Sequence, residues 1–313
     1  MKPEKTAFLF PGQGSQAVHM GWELAQVYPS SRMLYEEADD ILGFKLSQLS
    51  WEGPDDDLND TINTQPALLV HSFAALQVFQ ESYPAFRPAF VAGHSMGELS
   101  ALLASGAMPF RQALLLARTR GRLMKQAGKL NPGGMAAIIG LDIPSLENIC
   151  VEASRPGEIV QVANDNCPGQ VVISGASPAL DRAVTAAQAA GARRAVRLAV
   201  SIAAHSPLME SSQVSFNLAV DEAGLVDPRM PVVGNVTAKP LTHATELRLD
   251  LQGQLTNRVR WTESIEWMSQ EGVDTFIELG SGSVLIGLVK RINREAAGIN
   301  LSTPADFDKL LGG

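Results

Sequence analysis

Residues 6–10, Thr-Ala-Phe-Leu-Phe, are a short unbroken apolar run that ends at the glycine-rich segment Pro11-Gly12-Gln13-Gly14-Ser15-Gln16. That pattern predicts a buried strand followed by a tight turn. Apolar positions at helical spacing predict helices over 18–27, 31–41 and 66–80, and the run 88–92 predicts a second strand. Strand, helix and strand alternate, which argues for an α/β fold with a mostly parallel sheet. Asn131-Pro132-Gly133-Gly134 interrupts the rhythm. Beyond it the pattern predicts strand 135–139, helix 144–153, strand 159–163, a Pro-Gly turn, strand 170–174, helix 178–190 and strand 195–200. This β-α-β-β-α-β order is ferredoxin-like and predicts a small inserted α+β subdomain over 132–199. Residues 1–131 and 200–313 then form one discontinuous α/β domain. Its second part carries predicted helices near 207–223, 246–256, 262–271 and 283–294 and strands at 231–235 and 275–279.

The wider composition narrows the chemistry. With 313 residues, 45% hydrophobic and 19% charged, the chain can bury a large core. No run of eighteen apolar residues occurs, so no membrane span is expected. The apolar stretch Ala7 to Phe10 is too short for a signal peptide. Cys150 and Cys167 offer neither a disulfide framework nor metal-ligand spacing, and a reducing cytoplasm is the expected compartment. The histidines at 19, 71, 94, 205 and 243 form no His-Glu-x-x-His pair, so no metal is expected. A net charge of −8 argues against nucleic acid as a partner.

One segment carries chemistry of its own. The strand-like Phe90-Val91-Ala92 meets Gly93-His94-Ser95-Met96-Gly97, and a good helix former follows. Strand, turn and helix around Gly-x-Ser-x-Gly is the context of a nucleophile elbow, with Ser95 presented at a helix N-terminus. Unpaired N–H groups and the positive end of the helix dipole favour a developing oxyanion there. The candidate base is His205, in a small-residue loop after a predicted strand; an ordinary loop histidine is the competing reading. His94 adjoins the serine but points away from it at such a turn, and His71 falls in an apolar helix as a core residue.

An arginine supplies the second clue. On a helix from Phe110, residues Arg118, Arg122, Lys125 and Lys129 fall within about 40° of the direction of Arg111, forming a solvated stripe. Arg120 lies about 180° away, among Leu116, Ala117, Leu123 and Met124. A guanidinium on the apolar face costs on the order of several kcal/mol unless an anion meets it. Either a structural carboxylate does so, or the substrate brings one, for which the planar fork of arginine is suited.

Taken together, these residues resemble the malonyl-CoA:acyl carrier protein transacylases. The resemblance rests on Phe10 to Gln16, Gly93 to Glu98, Arg120-Gly121, Asn164 with Pro168 to Val172, and His205-Ser206. Thr64 to Ala67, Val259-Arg260-Trp261 and Glu278-Leu279-Gly280 with Gly282 extend it over roughly residues 5 to 300. It implies a hydrolase-like core with the ferredoxin-like insertion. It implies Ser95 as nucleophile and His205 as base, with a backbone carbonyl orienting the histidine in place of a triad aspartate. Gln254 would supply that carbonyl, with Gln252 as the alternative. The resemblance also implies an oxyanion hole from the N–H groups of Gln13 and Met96, Arg120 as holder of a malonyl carboxylate, and Asn164 as a pocket residue. The implied reaction moves malonyl from CoA to the phosphopantetheine thiol of acyl carrier protein through a malonyl-serine ester, with no cofactor and no metal.

Some positions depart from the family pattern. Ala204 before the histidine leaves room beside the acyl group that a substituted malonyl unit could use, and the adaptable Met96 after the serine can fill that space. Arg258 stands where a proline is expected and Cys167 where serine is more usual. Two alternatives compete with this reading: an acyltransferase or acyl hydrolase of polyketide assembly, with the same fold and dyad, and a serine carboxylesterase. The latter needs an acid between serine and histidine, such as Asp142, Asp165 or Asp181, and has no use for Arg120.

Overall fold

A computed structural model describes residues 1–312. The strands are β1 (Thr6–Phe10), β2 (Phe90–Gly93), β3 (Gly133–Ile139), β4 (Val160–Cys167), β5 (Gln170–Ala176), β6 (Arg194–Arg197), β7 (Val232–Val233), β8 (Pro240–Leu241), β9 (Val259–Arg260), β10 (Thr275–Leu279) and β11 (Ala297–Leu301). They form a six-stranded sheet in the order β11-β10-β1-β2-β7-β8 and a five-stranded sheet in the order β6-β3-β5-β4-β9. The larger sheet is parallel except for β8, which returns antiparallel along β7. All five residues of β1 are buried, as expected for a central parallel strand covered on both faces. The smaller sheet is antiparallel through β6, β3, β5 and β4, and β9 joins its edge parallel to β4.

Several boundaries differ from the sequence reading for physical reasons. The helix expected at 66–80 runs Thr61–Ser82 and contains Pro66. Proline cannot donate to the carbonyl four residues earlier. Arg118 supplies the missing donor, its Nη1 lying 2.9 Å from the oxygen of Ile62. Asp60 caps the start by accepting from the Ile62 N–H at 3.2 Å. Strand β4, expected over 159–163, runs on through the polar residues Asn164, Asp165 and Asn166. It continues to Cys167 through two irregularities in register with β5, and all three polar residues are buried. Strand β6 ends at Arg197, after which Leu198 and Val200 turn half outward. Helices at Leu46–Glu52, Asp55–Asn59 and Pro304–Gly312, and the short strands β8, β9 and β11, carry too few residues or too weak a pattern to be read from sequence.

Among the described residues no helix is long and apolar enough to cross a membrane, and no cluster of His, Cys, Asp and Glu is arranged to hold a metal ion.

Candidate active site

The site forms where β2 ends and the helix Gly97–Ala104 begins. The chain turns so sharply that a Cβ on Gly93 would sit 1.9 Å from the oxygen of Gly97. One on Gly97 would sit 2.1 Å from the oxygen of Phe10, the last residue of β1. Only glycine fits at either place. Ser95, between them, takes φ 52°, the left-handed region that a side chain adopts only when its surroundings enforce it. Asn235, just past β7, does the enforcing. Its Oδ1 accepts from the Ser95 N–H at 2.7 Å and its Nδ2 donates to the Gly93 oxygen at 2.7 Å.

Ser95 Oγ lies 2.8 Å from His205 Nε2. The other ring nitrogen, Nδ1, faces the backbone oxygen of Gln254 at 2.8 Å and that of Asn257 at 3.2 Å. Carbonyls only accept, so Nδ1 carries the proton and Nε2 is left as an acceptor toward the serine. Gln252 is elsewhere: its oxygen accepts from Gln213 at 2.5 Å. Burial, with the Arg120 charge next, pulls the His205 pKa down to about 3. The imidazole is therefore neutral at pH 7 and able to take a proton. No carboxylate meets it among the described residues, so an esterase-type triad is absent from this arrangement.

Arg120 is 1% exposed on the inner face of the helix Phe110–Leu130. Its Nη2 lies 3.2 Å from Ser95 Oγ. The guanidinium is held by neutral amides: Nε and Nη2 donate to Gln254 Oε1 at 3.0 and 2.7 Å, and Nη1 donates to Gln65 Oε1 at 2.9 Å. Burial lowers its pKa to about 10, with Glu98 acting the other way, so it stays charged at pH 7. Among the described residues no carboxylate forms a salt bridge with it. Glu98, one turn after the serine, is buried beside it; burial, with Asp250 next, pushes the Glu98 carboxyl well above its usual range.

The glycine-rich turn packs on the elbow through the His94 N–H, which donates to the Phe10 oxygen at 3.0 Å. The Gln13 side chain is anchored by Thr61 Oγ1 at 2.9 Å. Among the described residues, neither the Gln13 nor the Met96 backbone N–H donates to a protein acceptor. Met96 is buried in the main core. Ala204, also buried, lies beside His205 in sequence. Asn164 sits in β4 opposite Val259 of β9, and is not hydrogen-bonded to Ser95, His205 or Arg120. Its neighbour Asn166 instead reaches the elbow, with Oδ1 2.8 Å from His94 Nε2.

The structure thus brings Ser95, His205, Arg120 and Gln254 into one hydrogen-bonded cluster. Sequence reasoning assigned no role to Asn235, Glu98, Gln65 or Gln161. Gln161, from β4, donates to the oxygens of His205 and Thr256 at 2.8 and 3.0 Å and so ties the smaller sheet to the histidine loop. Glu98 was legible as a signal, since an acid one turn into an otherwise apolar helix needs a polar reason. Arg258, at the expected proline, pairs with Glu147 at 2.9 Å on the surface, and β9 still pairs with β4. Cys167 is a buried thiol whose pKa is raised by burial.

A serine on a strained strand-to-helix turn, facing a histidine and a buried guanidinium, places the chain among α/β proteins with a nucleophile elbow. More narrowly, it belongs to the family described as acyl transferase domain, which matches residues 7–305. It is 44% identical to the malonyl CoA-acyl carrier protein transacylase of Bacillus subtilis, over 97% of this chain and 95% of that protein. An acyl carrier protein S-malonyltransferase from Vibrio cholerae superposes with TM-score 0.94 at 42% identity, covering 98% of this chain and 99% of the other. A malonyl-transacylase solved in complex with its type II PKS acyl-carrier protein superposes with TM-score 0.95 at 41% identity, covering 99% and 100%.

Proposed function

We propose that the chain is a malonyl-CoA:acyl carrier protein transacylase that works by two successive acyl transfers on Ser95. The observation that carries this reading is Arg120: a buried cation with no carboxylate partner, 3.2 Å from the serine oxygen. A malonyl thioester brings the missing anion, and a bidentate pair with the guanidinium sets its carbonyl carbon over Ser95. His205 Nε2 takes the serine proton as the oxygen attacks. The N–H groups of Gln13 and Met96 receive the carbonyl oxygen as it becomes an oxyanion; losing one such donor costs about 10²–10³ in rate. The intermediate collapses as the carbon–sulfur bond breaks, and His205 returns its proton to the CoA sulfur. A malonyl ester remains on Ser95. The phosphopantetheine thiol of a carrier protein then attacks, with His205 again as base, and the serine is released.

The reaction passes from one thioester through a serine ester to another thioester with no change of oxidation state, so it calls for neither a redox cofactor nor a metal. A transfer between malonyl-CoA and a carrier protein fits the cytoplasm as its compartment. Asn164 is proposed to line the acyl side of the site from the smaller sheet. The pathway is read as fatty-acid synthesis; likeness to a malonyl-transacylase solved with a type II PKS acyl-carrier protein keeps polyketide assembly as the second reading.

A panel of acyl-CoAs offered with fatty-acid and polyketide carrier proteins tests this. Malonyl should reach the carrier at least about tenfold faster than acetyl. Equal transfer of both, or release of free malonate without transfer, would overturn it.

A further inference from the structure

Glu98 sits at a junction that the reaction as described does not use. Gln254 Oε1 accepts from Nε and Nη2 of Arg120, so the amide nitrogen must point the other way. There it donates to the Ser95 backbone oxygen at 3.0 Å and to Glu98 Oε2. Glu98 Oε1 accepts from the Asn235 N–H at 3.2 Å. Asn235 in turn grips both sides of the elbow. Asp250, buried and bonded to the N–H of Thr237 at 2.9 Å, closes the far side of Glu98.

We infer that Glu98 is a positioning residue for acyl selection: it fixes which way the Gln254 amide faces, and thereby aims Arg120 at the substrate carboxylate. This rests on the function proposed above. The geometry is specific to a carboxyl group. Two N–H donors, from Asn235 and Gln254, converge on the two oxygens of Glu98, and a glutamine there has only one oxygen to offer. Its NH2 must face one donor. If Gln254 flips to relieve that clash, it turns its own NH2 toward the guanidinium, donor against donor. Arg120 then loses the acceptor that holds Nε and Nη2, and its fork leaves the serine.

The test is Glu98→Gln, read by mass spectrometry as the rate of Ser95 loading from malonyl-CoA and, separately, from acetyl-CoA. A substitution that merely loosened the fold would slow both alike and leave their ratio unchanged. The expected result is a fall of at least about tenfold in the malonyl-to-acetyl ratio, the scale of one hydrogen bond to a charged group. An unchanged ratio in folded Glu98→Gln overturns the inference while leaving the functional reading intact. Wild-type protein with no malonyl preference would overturn both. If Glu98→Gln does not fold, Glu98→Asp keeps two acceptor oxygens on a shorter arm. A partial fall in its ratio is then expected, and a wild-type ratio overturns the inference.

Discussion

A guanidinium 1% exposed and held by the amides of Gln65 and Gln254 has its geometry satisfied but its charge unanswered. Arg120→Ala should therefore cut malonyl loading by about 10²-fold or more, since pairs with a buried charge are worth several kcal/mol, and spare acetyl loading. Initial loading rates with the two donors check this; equal losses would remove the clamp from the account. His205 makes a second prediction. Its pKa is drawn from 6.5 to about 3 by burial first and the Arg120 charge second. The unfolded chain takes up this proton near 6.5 and the folded one does not, so the stability this histidine contributes is full above pH 6.5 and declines from there toward pH 3. An NMR titration, with the resonance assigned by His205→Gln, should show no protonation of His205 between pH 7 and 5. A midpoint near 6.5 would contradict the buried site. At this scale Ser95 was legible from its Gly-x-Ser-x-Gly context and Arg120 from its place on an apolar helix face, whereas His205 stood level with an ordinary loop histidine until the resemblance named it the base. Asn235 and Gln161 were silent, since a polar residue in a loop or strand carries no mark of the partner brought to it by folding.

Among the elements, the elbow depends on backbones of β1, β2 and the following helix approaching more closely than any side chain allows. Gly97→Ala would place a carbon 2.1 Å from the Phe10 oxygen. Strain of this kind costs about 1–3 kcal/mol. The midpoint of denaturant unfolding should drop accordingly, with serine loading lost, and wild-type stability and loading together would refute the packing argument. Gln161→Leu should leave stability closer to wild type but lower the loading rate by about tenfold, because the His205 and Thr256 oxygens lose a shared donor. Loading by malonyl-CoA at wild-type rate would show that the bridge is idle. Long periodic elements were legible from sequence: the central strands, the helix Phe110–Leu130 and the antiparallel pair β3 and β5 all follow their apolar patterns. The strand that joins the two sheets' surroundings was not. β9 has two residues, and β4 carries its polar run Asn164-Asp165-Asn166 in a strand because β9 and the elbow cover it.

For the whole molecule, a net charge of −8 means that a carrier protein of like sign has to be met by a local basic surface. Of the basic stripe on the helix Phe110–Leu130, Arg118 and Lys125 are already engaged, with Ile62 and Asp60. Lys290 and Arg291, in the last turn of the helix Val284–Ile292, are bonded only to neutral oxygens and keep their charge available. Reversing both charges should raise KM for the carrier about tenfold or more and leave KM for malonyl-CoA unchanged; unaltered carrier kinetics would move docking elsewhere. The arrangement of two sheets around one serine comes to a single chemical claim, that an acid-bearing acyl group is stored on Ser95. Intact-protein mass spectrometry after mixing with malonyl-CoA measures it directly. The wild-type chain should gain one malonyl group and lose it to a carrier thiol, and Ser95→Ala should gain none. A malonyl adduct that persists in Ser95→Ala, or a wild-type chain that never acquires one, would contradict the account.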